Sequence, residues 1–430
     1  MSPAPAAAGR RRRPRVALYN VTTTTKVGGV ETFVWEVAAR LAARGYAVDL
    51  VGGRGRERRA APGVRVVTLP YLDRELWRRI PLLGRQYTLT KLLERLSFAV
   101  AGLPYLLWQR YDLVHIQKPY DLPIAALARL AGSRAIFGCH GKDFWLGDRL
   151  FARWMDAAVS CSAYNAGQVH ARYGLTPTVI YNGVDLTQFD EVGSRQYAVG
   201  SDERVGGRQY AVGSDEDGEP APDAEIPPSP IQNPKSKIQN PAVQNPKSKI
   251  VLFAGRLVRW KGVEYLIQAL PRLRTPGVEV WIAGSGPYQA ALEALAARAG
   301  VAARVRFLGN LPTAQLVRCY HAADLLAATS FVNETFGIAL CEAMACGRPV
   351  VASRFGGFPE VVADGVTGYL TRPQDPADLA AKIDALLADP ARAAAMGQAG
   401  RDRVRRLFTW DAVVDRLERV YAQVLPPAHR

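Results

Sequence analysis

Cysteine is scarce in this chain of 430 residues: five are present, an odd number, and no two are spaced as Cys-x-x-Cys. That excludes a disulfide framework and a paired-cysteine metal or redox motif, and it points to a reducing compartment. Cys139, Cys161, Cys319, Cys341 and Cys346 read as small buried residues. Long apolar runs are missing too. No stretch approaches the ~18 residues of a membrane span, so no transmembrane helix is expected. The opening MSPAPAAAGRRRRPR lacks the apolar core of a secretory signal, which gives the expectation of a cytoplasmic protein. Acidic residues are under-represented, with 39 Asp and Glu against 55 Lys and Arg, a net charge of +16. The excess is uneven: residues 1–190 carry +13, residues 191–249 carry −2 and residues 250–430 carry +5. A basic first part suits nucleic acid, anionic lipid or a phosphorylated substrate. With no nucleic-acid motif present, no nucleic-acid partner is expected.

What is present is alternation. The length suggests two or three domains, and an apolar content of 48% is ample for sizeable cores. Val16–Asn20 reads as a short buried strand, followed by Gly28-Gly29 and a helix from about Val30. The apolar residues Val30, Phe33, Val34, Val37, Ala38 and Leu41 fall at helical spacing. Ala47–Val51 then completes a βαβ unit, hence part of a parallel sheet. Further strands are expected at Arg65–Leu69, Leu113–Gln117, Arg134–Gly138, Ala157–Cys161 and Thr178–Tyr181. A second series is expected at Ile250–Ala254, Val278–Ala283, Val305–Leu308, Asp324–Ala328 and Val350–Ala352. The fold class is therefore α/β, with two Rossmann-like doubly wound domains facing a central cleft, where ligands meet the carboxyl ends of strands.

The expected organisation is a basic disordered tail (1–14), a first domain (15–190), an insertion (191–249), a second domain (250–408) and a terminal helix (409–430). The insertion contains RQYAVGSDE twice, at 195–203 and 208–216, and QNPKSK twice, at 232–237 and 244–249. Its many prolines and few large apolar residues favour disorder and a duplicated, unselected segment. The acidic run Asp215-Glu216-Asp217 lies there without preorganised geometry and is not read as a metal site.

Several positions carry chemistry. Glu334 and Glu342 are separated by seven residues, roughly 12 Å along a helix axis. Between them lie the amides of Phe336, Gly337 and Ile338, so an anion site is flanked by two hydroxyl acceptors, the shape of a sugar-nucleotide. Arg256 and Lys261 follow a strand end in FAGRLVRWKG, and two cations there suit a diphosphate. Gly28-Gly29 opens a helix, where backbone can approach an anion. The pattern is not GxGxxG, which disfavours a nicotinamide cofactor. His140 ends a strand in FGCHGKD and is placed for a sugar hydroxyl. Single glycine turns such as Gly284-Ser285-Gly286 and Gly356-Gly357 are ordinary by themselves.

Taken in order, these segments resemble glycosyltransferase family 4 (glycosyl transferases group 1) with the GT-B fold. The resemblance runs through Gly28-Gly29-Val30-Glu31, His140, YNGVDLTQF at 181–189, GRLVRWKG at 255–262 and IAGSGP at 282–287. It continues through FLG at 307–309, the Glu334/Glu342 pair and GGFPE at 356–360, nearly everything outside the tail and insertion. It implies a hexosyltransferase working with retention of configuration and generally without a metal or other cofactor. Arg256 and Lys261 would hold the diphosphate of a UDP- or GDP-sugar donor, and Glu342 would take ribose hydroxyls. Glu334 and His140 would be the catalytic pair contacting the sugar. Gly28 and Gly29 would border phosphate and acceptor, with the amides of Phe336, Gly337 and Ile338 near phosphate or sugar. Residues Thr409–Val424 resemble the family's last helix, which crosses back to the first domain. One departure stands out: Thr335 occupies a position where glycine is common.

The acceptor is expected to be a glycan or lipid-linked molecule. Residues 74–110 mix Arg74, Arg78, Arg79, Arg85, Lys91 and Arg95 with Trp77, Leu82, Leu83, Leu92, Leu93, Leu96, Phe98 and Trp108. This segment reads either as an interfacial element with a basic face toward anionic lipid, placing the protein peripherally on the inner face of the membrane, or as a core helix pair with a basic outer face. The alternatives to transfer are another GT-B reaction, such as epimerisation or phosphorolysis, and a non-catalytic sugar- or nucleic-acid-binding module.

Overall fold

The computed structural model describes residues 13–26, 28–55, 59–80, 86–141, 143–189 and 248–426. The tail up to residue 12, residues 190–247 with the acidic run and all of the duplications but Ser248 and Lys249, and Leu82, Leu83, Arg85 and Lys142 lie outside the described residues.

Two parallel sheets organise what is described. The first contains β1 (Arg15–Tyr19), β2 (Ala47–Gly53), β3 (Val64–Leu69), β4 (Leu113–Ile116), β5 (Arg134–Cys139), β6 (Ala157–Ser160) and β7 (Thr178–Val179). Its order is β3-β2-β1-β4-β5-β6-β7. The second contains β8 (Lys249–Ala254), β9 (Val278–Ala283), β10 (Val305–Gly309), β11 (Leu325–Ala328), β12 (Val350–Ser353) and β13 (Gly368–Thr371). Its order is β10-β9-β8-β11-β12-β13. The central strands are apolar on both faces because helices cover both faces of each sheet.

The expected strands are all present to within a residue or two. β13 was not anticipated. It has only four residues and starts at a glycine, so it reads as loop, yet it pairs in register with β12 from Val350↔Gly368 to Ser353↔Thr371. A sheet edge supplied by a neighbour cannot be seen in so short a run.

Each sheet reverses direction of winding once, between β1 and β4 in the first and between β8 and β11 in the second. A crevice forms beyond the carboxyl ends of the strands at such a point.

Two stretches of chain join the domains side by side. Val184 donates from its amide to the Phe408 carbonyl at 2.7 Å and bridges to Thr409. Beyond that, the helix Trp410–Val424, capped by the Thr409 hydroxyl, leaves the second domain and packs on the first. Its Trp410, Val413, Val414, Leu417, Val420 and Tyr421 recur at helical spacing and are buried among Phe33, Val34, Val37 and Leu41 of the helix Gly29–Ala43. Arg44 forms an ionic rim to this contact, 2.6 Å from both Asp415 and Glu418.

The segment 74–110 departs from both expectations in one respect, the basic outer face. It folds as a short helix (Arg74–Arg78) and a long one (Tyr87–Gln109). Three of its cations point inward: Arg74, Lys91 and Arg95 are each at most 2% exposed. Arg95 pairs with Asp121 at 3.0 Å, and Lys91 with Asp143 at 2.8 Å. The outer face is apolar instead, with Leu72, Leu76, Ile80, Leu96, Val100, Leu107 and Trp108 exposed. The sequence pattern misleads because charge is usually solvated, whereas here buried carboxylates on other elements pair with it.

Candidate active site

The second-domain half of the site is built on both sides of the switch point. Arg256 and Lys261 follow β8, and Glu334 follows β11. Lys261 Nζ donates to Glu334 Oε2 at 2.6 Å, and the Ser330 hydroxyl donates to the same oxygen at 3.0 Å. Between the two cations sits Trp260, buried, with Lys261 Nζ 4.8 Å and the Arg256 guanidinium 5.6 Å from its ring centre. The ring faces hold both cations at one place by cation–π attraction.

Glu334 precedes the helix Ile338–Ala345, and Glu342 lies within it. The helix is capped by Gly337 at φ +95, a left-handed conformation that disfavours any side chain, and an added Cβ would meet the Phe358 ring at 2.5 Å. Among the described residues the amides of Phe336, Gly337 and Ile338 donate no hydrogen bond. They are the orphan donors of a helix start, suited to an anion. Glu342 is 1% exposed and accepts from the Tyr320 hydroxyl at 2.8 Å.

The 356–360 turn closes over Glu334. Gly357 donates from its amide to the Glu334 carbonyl at 3.1 Å. At Gly356, with φ +58, a Cβ would lie 1.9 Å from that same carbonyl oxygen. Only glycine allows so close an approach.

The first-domain half lies beyond β1, β4 and β5. His140 follows β5, and its Nε2 is 3.0 Å from Gln117 Oε1, which requires the proton on Nε2. Burial, then the positive charge of Lys118, push the imidazole down to about 3. The ring is therefore neutral at physiological pH, donating to Gln117 and retaining Nδ1 as an acceptor. It rests 4.5 Å from the Phe33 ring. Nearby, Lys91 and Lys118 share Asp143 Oδ2 at 2.8 and 3.2 Å. Burial alone would raise the Asp143 carboxyl, but Lys118 and Lys91 outweigh it and hold it well below the usual range. Burial pushes Asp121 up to about 6 despite Arg95.

Of the residues singled out in the sequence, the structure joins Lys261 and Glu334 directly, and Arg256 shares the Trp260 ring with Lys261. Glu334 and His140 come together through one intermediary: the Thr335 hydroxyl donates to the His140 carbonyl at 3.1 Å, across the domains. Glu342 sits deeper, behind the 336–338 amides. Gly28 and Gly29 stand apart. Among the described residues no hydrogen bond joins them to the second domain, and their link to the site is Phe33, one turn into their helix. A Cβ at Gly28 would meet the Glu31 carboxylate at 2.5 Å, the movable end of a flexible side chain.

Sequence reasoning missed Trp260, Ser330, Tyr320, Gln117 and Glu360. Trp260 lay inside the GRLVRWKG run between the two cations, so its position was a signal. Tyr320 and Gln117 carried none, being 22 and 23 residues from their partners. Glu360 was seen only as part of a turn. It accepts from the amides of Ala163 and Tyr164 at 2.6 and 2.9 Å, which are in the other domain.

Two facing doubly wound domains with this cleft define the GT-B class, and solved structures agree. The sucrose-phosphate synthase of Thermosynechococcus elongatus superposes with a TM-score of 0.70 at 23% identity, covering 96% of this chain and 99% of that one. The Anabaena HepE protein in complex with UDP and glucose gives 0.67 at 20% identity, covering 96% and 100%. A family model described as Glycosyltransferase Family 4 matches residues 27–188, and one described as Glycosyl transferases group 1 matches residues 234–403. The chain belongs to this glycosyltransferase family. Curated relatives include the D-inositol 3-phosphate glycosyltransferase of Segniliparus rotundus, 41% identical over 182 residues, 41% of this chain and 40% of that protein. Another is the GDP-mannose-dependent alpha-(1-6)-phosphatidylinositol monomannoside mannosyltransferase of Mycolicibacterium smegmatis, 42% identical over 169 residues, 37% of this chain and 44% of that protein. The chain spans less than half the length of the curated relatives it matches.

Proposed function

We propose that the protein transfers a hexose, with retention of configuration, from a UDP- or GDP-sugar to a glycan or lipid-linked acceptor in the synthesis of cell-surface polysaccharide or glycolipid. The observation that carries this reading is the Lys261–Glu334 pair beside Arg256, beyond the β8–β11 switch point. A bound diphosphate would draw Lys261 away from Glu334 and onto its own oxygens. The freed carboxylate would then accept hydrogen bonds from sugar hydroxyls. Arg256 and the 336–338 amides add to the field at the leaving diphosphate, where negative charge builds as the sugar–phosphate bond breaks. The bond from the sugar's C1 to phosphate oxygen is replaced on the same face by one to the acceptor oxygen. The leaving phosphate oxygen takes the acceptor proton. His140, neutral, would accept a hydrogen bond from a sugar hydroxyl at Nδ1 without changing charge. The UDP in the HepE structure and the GDP-mannose named for the mycobacterial relative support a nucleotide donor of one of these two kinds.

Thermal unfolding with UDP, GDP and ADP tests the donor site. A nucleotide at about 100 times its Kd adds about 2.7 kcal/mol, and one of UDP and GDP is expected to do so. Glu342→Ala should weaken that response. No response from a folded sample to any of the three would remove the donor assignment.

The acceptor side supports work at the cytoplasmic face of a membrane. No helix among the described residues is long and apolar enough to cross a bilayer. The exposed Leu96, Val100, Leu107 and Trp108 instead form an apolar outer face on the helix Tyr87–Gln109. Exposed Arg79 and Arg110 flank it. Such a face lies in an interface by burying side chains, with anionic lipid adding attraction. In flotation with vesicles containing phosphatidylglycerol, the protein should rise with the vesicles, and Val100→Asp with Trp108→Glu should leave it behind. Equal recovery of the double variant would reject this surface.

A further inference from the structure

Away from the chain crossings, two side chains of the second domain hydrogen-bond to the first, beside the Tyr164–Phe355 ring contact and the Cys161 thiol at 4.0 Å from the Thr335 carbonyl. Thr335, next to Glu334, donates its hydroxyl to the His140 carbonyl. Glu360 places its carboxylate on the first amides of the helix Ala163–Tyr173, whose own cap is the Ser162 hydroxyl on Asn165. An anionic side chain from one domain thus completes a helix start in the other, where the dipole favours it. The Glu360 loop is held from behind, since Arg403 donates to the carbonyls of Glu360 and Val361 at 2.8 and 2.9 Å. Its other end is bonded to the Glu334 carbonyl through Gly357. Tyr181 adds a third point. It stacks on Phe336 at 5.8 Å, and its phenol lies against the Glu360 carboxylate.

We infer that Thr335 and Glu360 form a latch that closes the cleft and sets His140 against Glu334. The inference deepens the proposed function and rests on it for the kinetic consequence only. The geometry is specific. The Thr335 hydroxyl and the Glu360 carboxylate each hydrogen-bond to the first domain from beside Glu334, and neither needs to touch substrate. They are positioning residues. Glycine at position 335 would keep the turn but lose the hydroxyl, so this chain holds its cleft closed more firmly than a glycine-bearing one. Loss of the latch lowers the closed fraction and raises the apparent Kd for donor by the same factor.

The test uses the full chain with Thr335→Val, Thr335→Ser, Glu360→Ala and the double variant Thr335→Val/Glu360→Ala. Peptide-level hydrogen exchange should show the segment starting at Ala163 exchanging at least tenfold faster in Glu360→Ala, with an unchanged unfolding midpoint. Small-angle scattering should show a larger radius of gyration for the double variant. Thr335→Val should raise KM for donor about tenfold, and Thr335→Ser should restore it. A merely structural role would not distinguish serine from valine in this way. Wild-type exchange and scattering in the double variant would overturn the latch, even if nucleotides bind. Opening of the domains in a chain that binds no nucleotide would leave the latch standing and remove the donor reading instead.

Discussion

Lys261→Ala is expected to lower kcat/KM for sugar transfer by about 10²- to 10³-fold, a loss of about 2.7–4 kcal/mol in transition-state stabilisation. Two effects act together. The diphosphate loses a cation that is already fixed over Trp260, and Glu334 is left in a largely buried place without its positive partner. Removing one member of such a pair costs more than the pair contributes, because the remaining charge is stranded. Glu334→Gln should be comparably damaging, since the amide cannot accept as strongly from sugar hydroxyls. The double variant should lose less than the sum, as residues in direct contact do. Initial rates across a donor series, with the variants checked for normal unfolding, measure all three. Rates within twofold of wild type for Lys261→Ala would remove the cation from the mechanism.

The second large effect concerns the C-terminal helix. Leu417→Ala should destabilise the first domain by about 2–5 kcal/mol, the range for emptying a fully buried leucine site. The loss should appear in the first domain although residue 417 follows the second in the chain, because the helix is buried against Gly29–Ala43. Tyr421 strengthens the case. Its hydroxyl is 2.8 Å from His115 Nδ1, and burial pushes that imidazole down to about 3, so it sits neutral in the core. Urea unfolding followed by hydrogen exchange would locate the loss. Protection falling in β8–β13 with β1–β6 unaffected would contradict this packing.

Central strands were legible because a strand covered on both faces is a continuous apolar run, and Val16 to Tyr19 or Leu325 to Ala328 show this without help from a neighbour. β13 was not legible, being four residues long and defined by its pairing with β12. Among the site residues, Arg256, Lys261, Glu334 and the 336–338 amides were legible from their places after strands and at a helix start. The sign of the 74–110 surface was not. Whether Lys91 and Arg95 point out or in depends on Asp143 and Asp121, which lie on segments after β5 and β4.

By itself the amino-acid sequence determined two doubly wound domains and which candidate residues follow their strand ends, since periodicity, turn glycines and motif spacing are properties of neighbouring residues. Tertiary structure alone decided which groups meet: Lys261 with Glu334, Tyr320 with Glu342, Thr335 with His140 and Glu360 with the Ala163–Tyr173 helix. Those partners are between 22 and 197 residues apart. A hydrogen bond is set by a distance of about 3 Å in space, and no local pattern along the chain encodes it.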